Sequence, residues 1–139
     1  MLRVLVADNH AIVRAGILRL LVGDPRIKVL GEASDFSEAV TKAHNFRPDV
    51  LILDVHMPRG AGLMSSDVNG ELTSSGAKVL GISFANDDDA RSLANALGAA
   101  ELLDKINLGK ELIPAIIRLA AEVPPLIQAN AATDAGAIQ

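Results

Sequence analysis

Val50-Leu51-Ile52-Leu53-Asp54, followed by Val55-His56-Met57-Pro58, decides how this chain is read. An unbroken aliphatic run, entered through the turn signal Arg47-Pro48-Asp49, is the pattern of a strand buried on both faces. The run ends on a carboxylate. A second run, Val4-Leu5-Val6-Ala7-Asp8, ends the same way. Two buried strands that each deliver an acid at the C-terminal end describe the crevice above a parallel sheet, where open α/β folds bind their ligands. Two acids meeting there repel each other unless a cation, a proton or a basic side chain intervenes.

Outward from these runs, strand-like and helix-like segments alternate. Leu2 to Ala7 is the first strand. Ala11 to Val22 carries Val13, Ile17, Leu20 and Leu21 on one helical face, and Gly23-Asp24-Pro25 stops it. Ile27 to Ala33 reads as the second strand. Asp35 and Glu38 form a D-x-x-E start signal resembling a capping box, and Ala39 to Phe46 continues that helix. Val50 to Leu53 is the third strand. Residues 59 to 76 combine Gly60, Gly62, Gly70 and Gly76 with Ser, Asn and Thr, so a helix around Leu63 to Leu72 has poor propensity. Lys78 to Ser83 is the fourth strand. Asn86-Asp87-Asp88-Asp89 places acids at the start of a helix that runs to about Leu97, with Gly98 as its stop. Ala100 to Leu103 is a short fifth strand. Leu108 to Glu122 is the last helix, with Leu112, Ile113, Ile116, Ile117 and Ala120 on its apolar side. The sum is a (βα)5 chain, which implies an α/β fold with a parallel sheet, right-handed crossovers and helices on both faces. Residues 1–122 form one domain. Pro124-Pro125 ends the last helix, and the Ala-rich stretch 123–139 reads as a flexible tail or linker.

Composition narrows the function classes. The chain has 139 residues, half of them hydrophobic, yet no Trp or Tyr and only three Phe, so its core is aliphatic. The net charge of −4 offers no basic stripe for a nucleic acid. With no cysteine, disulfides and thiolate metal sites are excluded, which fits a cytoplasmic protein. No apolar stretch approaches the roughly 18 residues of a membrane span. The first residues enter a strand directly, without the pattern of a signal peptide.

Strands 1, 3, 4 and 5 open onto one crevice, and what each delivers there can be read off: Asp8-Asn9, Asp54, Ser83, and Lys105 just past the fifth strand. This is a phosphoryl-transfer set. Asp54 is the nucleophile that forms an acyl phosphate. Asp8 and Asn9 are hard oxygen ligands for Mg2+. Lys105 pairs with Asp54 or with incoming phosphate oxygens, and the Ser83 hydroxyl follows the phosphate. The acids Asp87 to Asp89 are helix-start residues. Gly62 permits an unusual backbone angle, and Met57 and Pro58 shape the loop leaving Asp54. His10 and His44 read as exposed helix residues without chemistry.

These pieces together resemble the response regulator receiver domain of bacterial two-component systems. The matching segments are Val4 through His10, Leu51 through Pro58 with Gly62, Lys78 through Ser83, and Gly98-Ala99 running to Lys105. The stretch His10-Ala11-Ile12-Val13-Arg14-Ala15-Gly16-Ile17 is similar to the first helix of the subclass with a LuxR-type helix-turn-helix output. The resemblance implies a flavodoxin-like doubly wound sheet of strand order 2-1-3-4-5. It implies phosphotransfer to Asp54 from a histidine kinase or phosphotransfer protein. It further implies Mg2+ held by Asp8, Asn9, Asp54 and the backbone carbonyl of His56, self-association, and regulation of transcription through a DNA-binding domain beyond Gln139. Such a domain is no enzyme beyond its own phosphorylation and dephosphorylation.

The sequence also departs from the family pattern. Asn9 replaces a second acid, Phe84 follows Ser83 where the family is small, Leu102 replaces an aromatic switch, and Asp104 stands beside Lys105 as a competitor. Residues 63–76 are unusually polar for a third helix. These departures motivate a rival reading, a pseudo-receiver that dimerises or binds partners without phosphate. A hydrolase or nucleotide-binding enzyme of similar topology finds neither G-x-G-x-x-G after strand 1 nor G-x-x-x-x-G-K-[ST] anywhere.

Overall fold

The computed structural model describes residues 1–60 and 68–122. The expectations for Gly62 and for a tail over 123–139 lie outside them, as does the start of the helix expected from Leu63. The elements are β1 (Leu2–Ala7), α1 (Ala11–Val22), β2 (Ile27–Ala33), α2 (Phe36–Phe46), β3 (Val50–Asp54), α3 (Val68–Thr73), β4 (Lys78–Ser83), α4 (Asp88–Ala96), β5 (Ala99–Asp104), a single 3-10 turn (Lys105–Asn107) and α5 (Leu108–Ala121). They form one parallel sheet in the order β2-β1-β3-β4-β5. This is the expected doubly wound arrangement.

Strand periodicity explains the two layers. Successive side chains point to opposite faces, so each buried strand feeds two cores. Val4, Val6, Val50, Ile52, Leu80 and Ile82 pack with Ile17 and Leu21 of α1 and with Leu112, Ile116 and Leu119 of α5. Leu5, Ala7, Leu51 and Leu53 face the other way, onto Phe36, Ala39, Val40 and Ala43 of α2, Leu72 of α3, and Ala90 and Ala94 of α4. All five residues of β3 are buried. The buried stripe of α5 is Leu108, Leu112, Ala115, Ile116 and Leu119. It differs from the expected one: Ile113, Ile117 and Ala120 are only partly covered where α5 packs on β5, β4, β3 and α1.

Register sets where the site falls. Ala7 pairs with Leu53, so Asp8 and Asp54 lie side by side just past that pair. Asp54 pairs with Ile82, and Ser83 pairs with Asp104, so Ser83 and Lys105 emerge at the same edge.

Helix ends follow the sequence signals with local differences. Asp35 caps α2 by accepting the Glu38 backbone N–H at 2.7 Å. Glu38 reaches back to the Ser34 N–H at 2.8 Å, one residue earlier than a standard capping box. Lys42 adds an ion pair at 3.0 Å. The Ser34 N–H first, and Lys42 second, hold the Glu38 carboxyl below its ordinary range. Asp87 caps α4 on the Ala90 N–H. Gly98 has φ +75°, and an added Cβ would meet Asn69 Oδ1 at 2.5 Å, so this stop needs glycine for two reasons. His44 is half-buried rather than exposed. Its Nε2–H donates to the Glu71 carbonyl at 2.9 Å and ties α2 to α3. The first N–H groups of α2 also hold the loop after β3, through Phe36 N–H to the Pro58 carbonyl at 2.8 Å and Ser37 N–H to the Arg59 carbonyl at 2.7 Å.

Two outcomes follow for stability. Asp35→Ala removes the α2 cap and lowers the unfolding free energy by about 1 kcal/mol, read by urea denaturation. Glu38 has a folded-state pKa below its unfolded value of 4.5, so its contribution is present above that pH and lost as the pH falls. The gap between wild type and Glu38→Gln therefore shrinks as denaturation is repeated from pH 7 down to pH 3.

Candidate functional site

Asp8 and Asp54 are not surface acids. Their side chains are 0% and 2% exposed, and the Lys105 side chain between them is 2% exposed. Lys105 Nζ stands 2.7 Å from Asp8 Oδ2 and 3.3 Å from Asp54 Oδ2. The lysine reaches this place because β5 ends at Asp104 and the chain turns at once. Asp104 Oδ1 accepts the Ile106 N–H at 3.0 Å. The expected competition for the lysine is absent: Asp104 caps the turn that aims Lys105 inward.

The other carboxylate oxygens are held by backbone. Asp8 Oδ1 accepts the His10 N–H at 2.8 Å, and Asp54 Oδ1 accepts the His56 N–H at 3.0 Å. Asp8 Oδ2 and Asp54 Oδ2 are buried and receive no hydrogen bond from any described residue. Lys105 approaches both as a charge, off the angle of a hydrogen bond, so the short distances and the missing bonds describe one geometry. Two buried anions therefore share one cation, leaving an excess negative charge in a poorly hydrated place. Two unpartnered hard oxygens in a negative pocket fit a divalent cation. Asn9 is exposed on the adjoining loop, and the His56 ring is exposed.

Ser83 is fully buried, but its hydroxyl is turned onto its own loop. It donates to the Ala85 carbonyl at 2.8 Å and accepts the Ala85 N–H at 3.1 Å. Phe84 is 56% exposed, and its ring centroid lies 4.8 Å from Lys105 Nζ, a cation–π contact that covers the lysine from outside. Leu102 is partly buried against Gly81, whose added Cβ would meet Leu102 Cδ1 at 3.3 Å. Arg14 braces the first loop by donating to the Asp8 carbonyl at 2.6 Å and pairing with Glu32 at 3.1 Å.

His10 is the residue that sequence reasoning missed. It was expected to be an exposed helix residue without chemistry. Its backbone opens α1, yet its side chain makes no cap bond. The ring turns back instead, placing Nδ1 3.1 Å from Asp8 Oδ1 and 3.9 Å from Asp54 Oδ2. The Phe84 ring holds it edge-on, with centroids 6.4 Å apart. Its position directly after Asp8-Asn9 was the only available signal.

Two acids and a lysine meet at the switch point of an open α/β sheet, the place where such folds bind their ligands. The model of the response regulator receiver domain matches residues 4–117, and the chain belongs to that family. The transcriptional regulatory protein LiaR of Bacillus subtilis is 36% identical over 133 residues, which cover 95% of this chain and 62% of LiaR. Protein-glutamate methylesterase/protein-glutamine glutaminase 3 of Syntrophomonas wolfei is 36% identical over 109 residues, covering 76% of this chain and 30% of the relative. The chain thus spans 30% to 62% of the length of these curated relatives. Among solved structures, the signal receiver domain of the response regulator NarL from Mycobacterium tuberculosis superposes with a TM-score of 0.75 at 31% identity, covering 87% of this chain and 97% of that one. No helix among the described residues is long and apolar enough to cross a membrane.

The charge balance of the pocket generates a test. In buffer with a chelator, Lys105→Met strands two buried carboxylates and lowers the unfolding free energy by about 3 kcal/mol. Asp54→Asn removes the excess charge and raises it by about 1 kcal/mol. Urea denaturation of the three proteins checks the opposite signs.

Proposed function

We propose that this domain is a phospho-accepting receiver of a two-component system, in which Asp54 takes a phosphoryl group from a histidine kinase or phosphotransfer protein. The observation that carries the proposal is the burial of Asp54 beside Asp8 with Lys105 Nζ 3.3 Å from its outer oxygen. That oxygen has no hydrogen-bond donor to give up, so it is free to form the new O–P bond as the P–N bond of a phosphohistidine breaks. Asp8, Asn9, Asp54 and the His56 carbonyl would hold Mg2+. When bound, Mg2+ supplies positive charge against the phosphoryl oxygens. Lys105 pairs with the same oxygens from the opposite side, leaving the Phe84 ring.

The response then moves outward. The Ser83 hydroxyl exchanges its bond to the Ala85 carbonyl for one to the phosphoryl group, and the loop from Phe84 to Asp87 follows. This is a population shift between two packings, biased by the phosphate contacts. Leu102 has no ring or hydroxyl to report the change, so coupling runs through the Ser83 loop. The face of α4, β5 and α5, or the face of α1 and α5, would then change partner, and self-association is expected there. In this reading the domain works in the cytoplasm, does no chemistry beyond its own phosphate, and reaches DNA only through a further output domain.

Incubation with acetyl phosphate and Mg2+, followed by intact mass, tests the assignment. Wild type gains one phosphoryl mass and Asp54→Asn gains none. Label that survives in Asp54→Asn sinks the acceptor assignment. An unlabelled wild type that still self-associates supports the phosphate-independent pseudo-receiver instead.

A further inference from the structure

The first acidic loop carries an unassigned nitrogen donor. Asp8, His10 and Asp54 each offer one ligand atom, and these three atoms lie within 4.8 Å of one another. Two of the three residues are buried, and each has an outer oxygen without a hydrogen-bond donor. His10 does not cap α1. Its Nδ1–H hydrogen-bonds Asp8 Oδ1 at 3.1 Å, ligation exchanges that proton for the metal, and the Phe84 ring packs edge-on against the imidazole. Lys105 sits against both Oδ2 atoms, while His10 Nδ1 lies 3.1 Å from Asp8 Oδ1 and 3.9 Å from Asp54 Oδ2.

We propose that His10 Nδ1 is a direct ligand of the divalent ion in this pocket, which makes the site selective for nitrogen-accepting first-row transition ions over Mg2+. The inference rests on the reading of the pocket as a divalent-ion site. Its physical basis is ligand softness. Carboxylates and waters suit Mg2+ and Mn2+, whereas an imidazole added to two carboxylates favours later first-row ions such as Co2+ and Zn2+ over Mg2+. Asn9 points the same way: a neutral amide replaces a carboxylate, so the hard-ion attraction falls while the nitrogen ligand remains. Mg2+ at high concentration still occupies the carboxylate oxygens. A transition ion at far lower concentration displaces it.

The proposal is tested on the full chain with the metals alone. Pulsed electron-spin-echo spectra of bound Mn2+ detect a directly coordinated nitrogen. Calorimetric titrations with Co2+ and with Mg2+ measure selectivity. Wild type is expected to show nitrogen modulation that vanishes in His10→Ala, while Mn2+ remains bound to the carboxylates. His10→Ala is also expected to weaken Co2+ by about tenfold and leave Mg2+ within about twofold. His10 is solvent-facing, so the variant is expected to fold, and circular dichroism confirms that it has. Bound Mn2+ without nitrogen modulation, or modulation that persists in His10→Ala, overturns the proposal and leaves the carboxylate site standing. Failure of every ion to bind wild type overturns both this inference and the receiver chemistry on which it rests.

Discussion

One ammonium between two buried carboxylates governs this molecule. Lys105 reaches Asp8 and Asp54 across the C-terminal edge of the sheet, and neither acid tolerates burial without a nearby positive charge. The arrangement constrains the backbone around it. β1 and β3 must end in register, β5 must stop one residue before the lysine, and Asp104 must cap the turn that follows. Strand pairings meet the first requirement, and the Asp104 carboxylate, accepting the Ile106 N–H, meets the last.

The same pocket is under-neutralised, and the proposed chemistry depends on that. A fully compensated pair of acids would have no reason to take up a cation or to attack an electrophile. Here two outer oxygens lack hydrogen-bond donors while the inner two are fixed by the His10 and His56 N–H groups. Orientation and reactivity are thus divided between the two oxygens of each carboxylate. Phe84 and His10 add a roof of two edge-packed rings above the lysine. Phe84, a departure from the family pattern, thus contacts both Lys105 and the His10 ring.

Several neighbouring features place the loop after β3 under the same control. Its Pro58 and Arg59 carbonyls cap the first N–H groups of α2, and Gly60, at φ +87°, backs onto the Asp35 carboxylate, which an added Cβ would strike at 2.5 Å. A displacement of the Asp54 loop therefore pulls on the capped end of α2. Ser83 occupies the corresponding position on the β4 side, where its hydroxyl closes a small ring with Ala85. The two loops flanking the acid pair are each held by a few hydrogen bonds.

Strand periodicity and turn residues in the sequence determined the element order, the parallel sheet and the two aliphatic layers, because burial on both faces of a strand leaves a short β-branched apolar run bounded by turn residues. The strand ends likewise fixed Asp8, Asp54, Ser83 and Lys105 as neighbours at one edge. Side-chain direction was not legible. His10 reads as a helix-start residue, Asp104 as a rival for Lys105, His44 as exposed, and α5 as buried on a slightly different stripe. Each of those depends on which partner lies across a gap from another part of the chain. Only the tertiary structure decided that the His10 ring faces the acids, that Asp104 caps a turn, and that the Ser83 hydroxyl rests on Ala85, because a rotamer is chosen by contacts that local sequence does not encode.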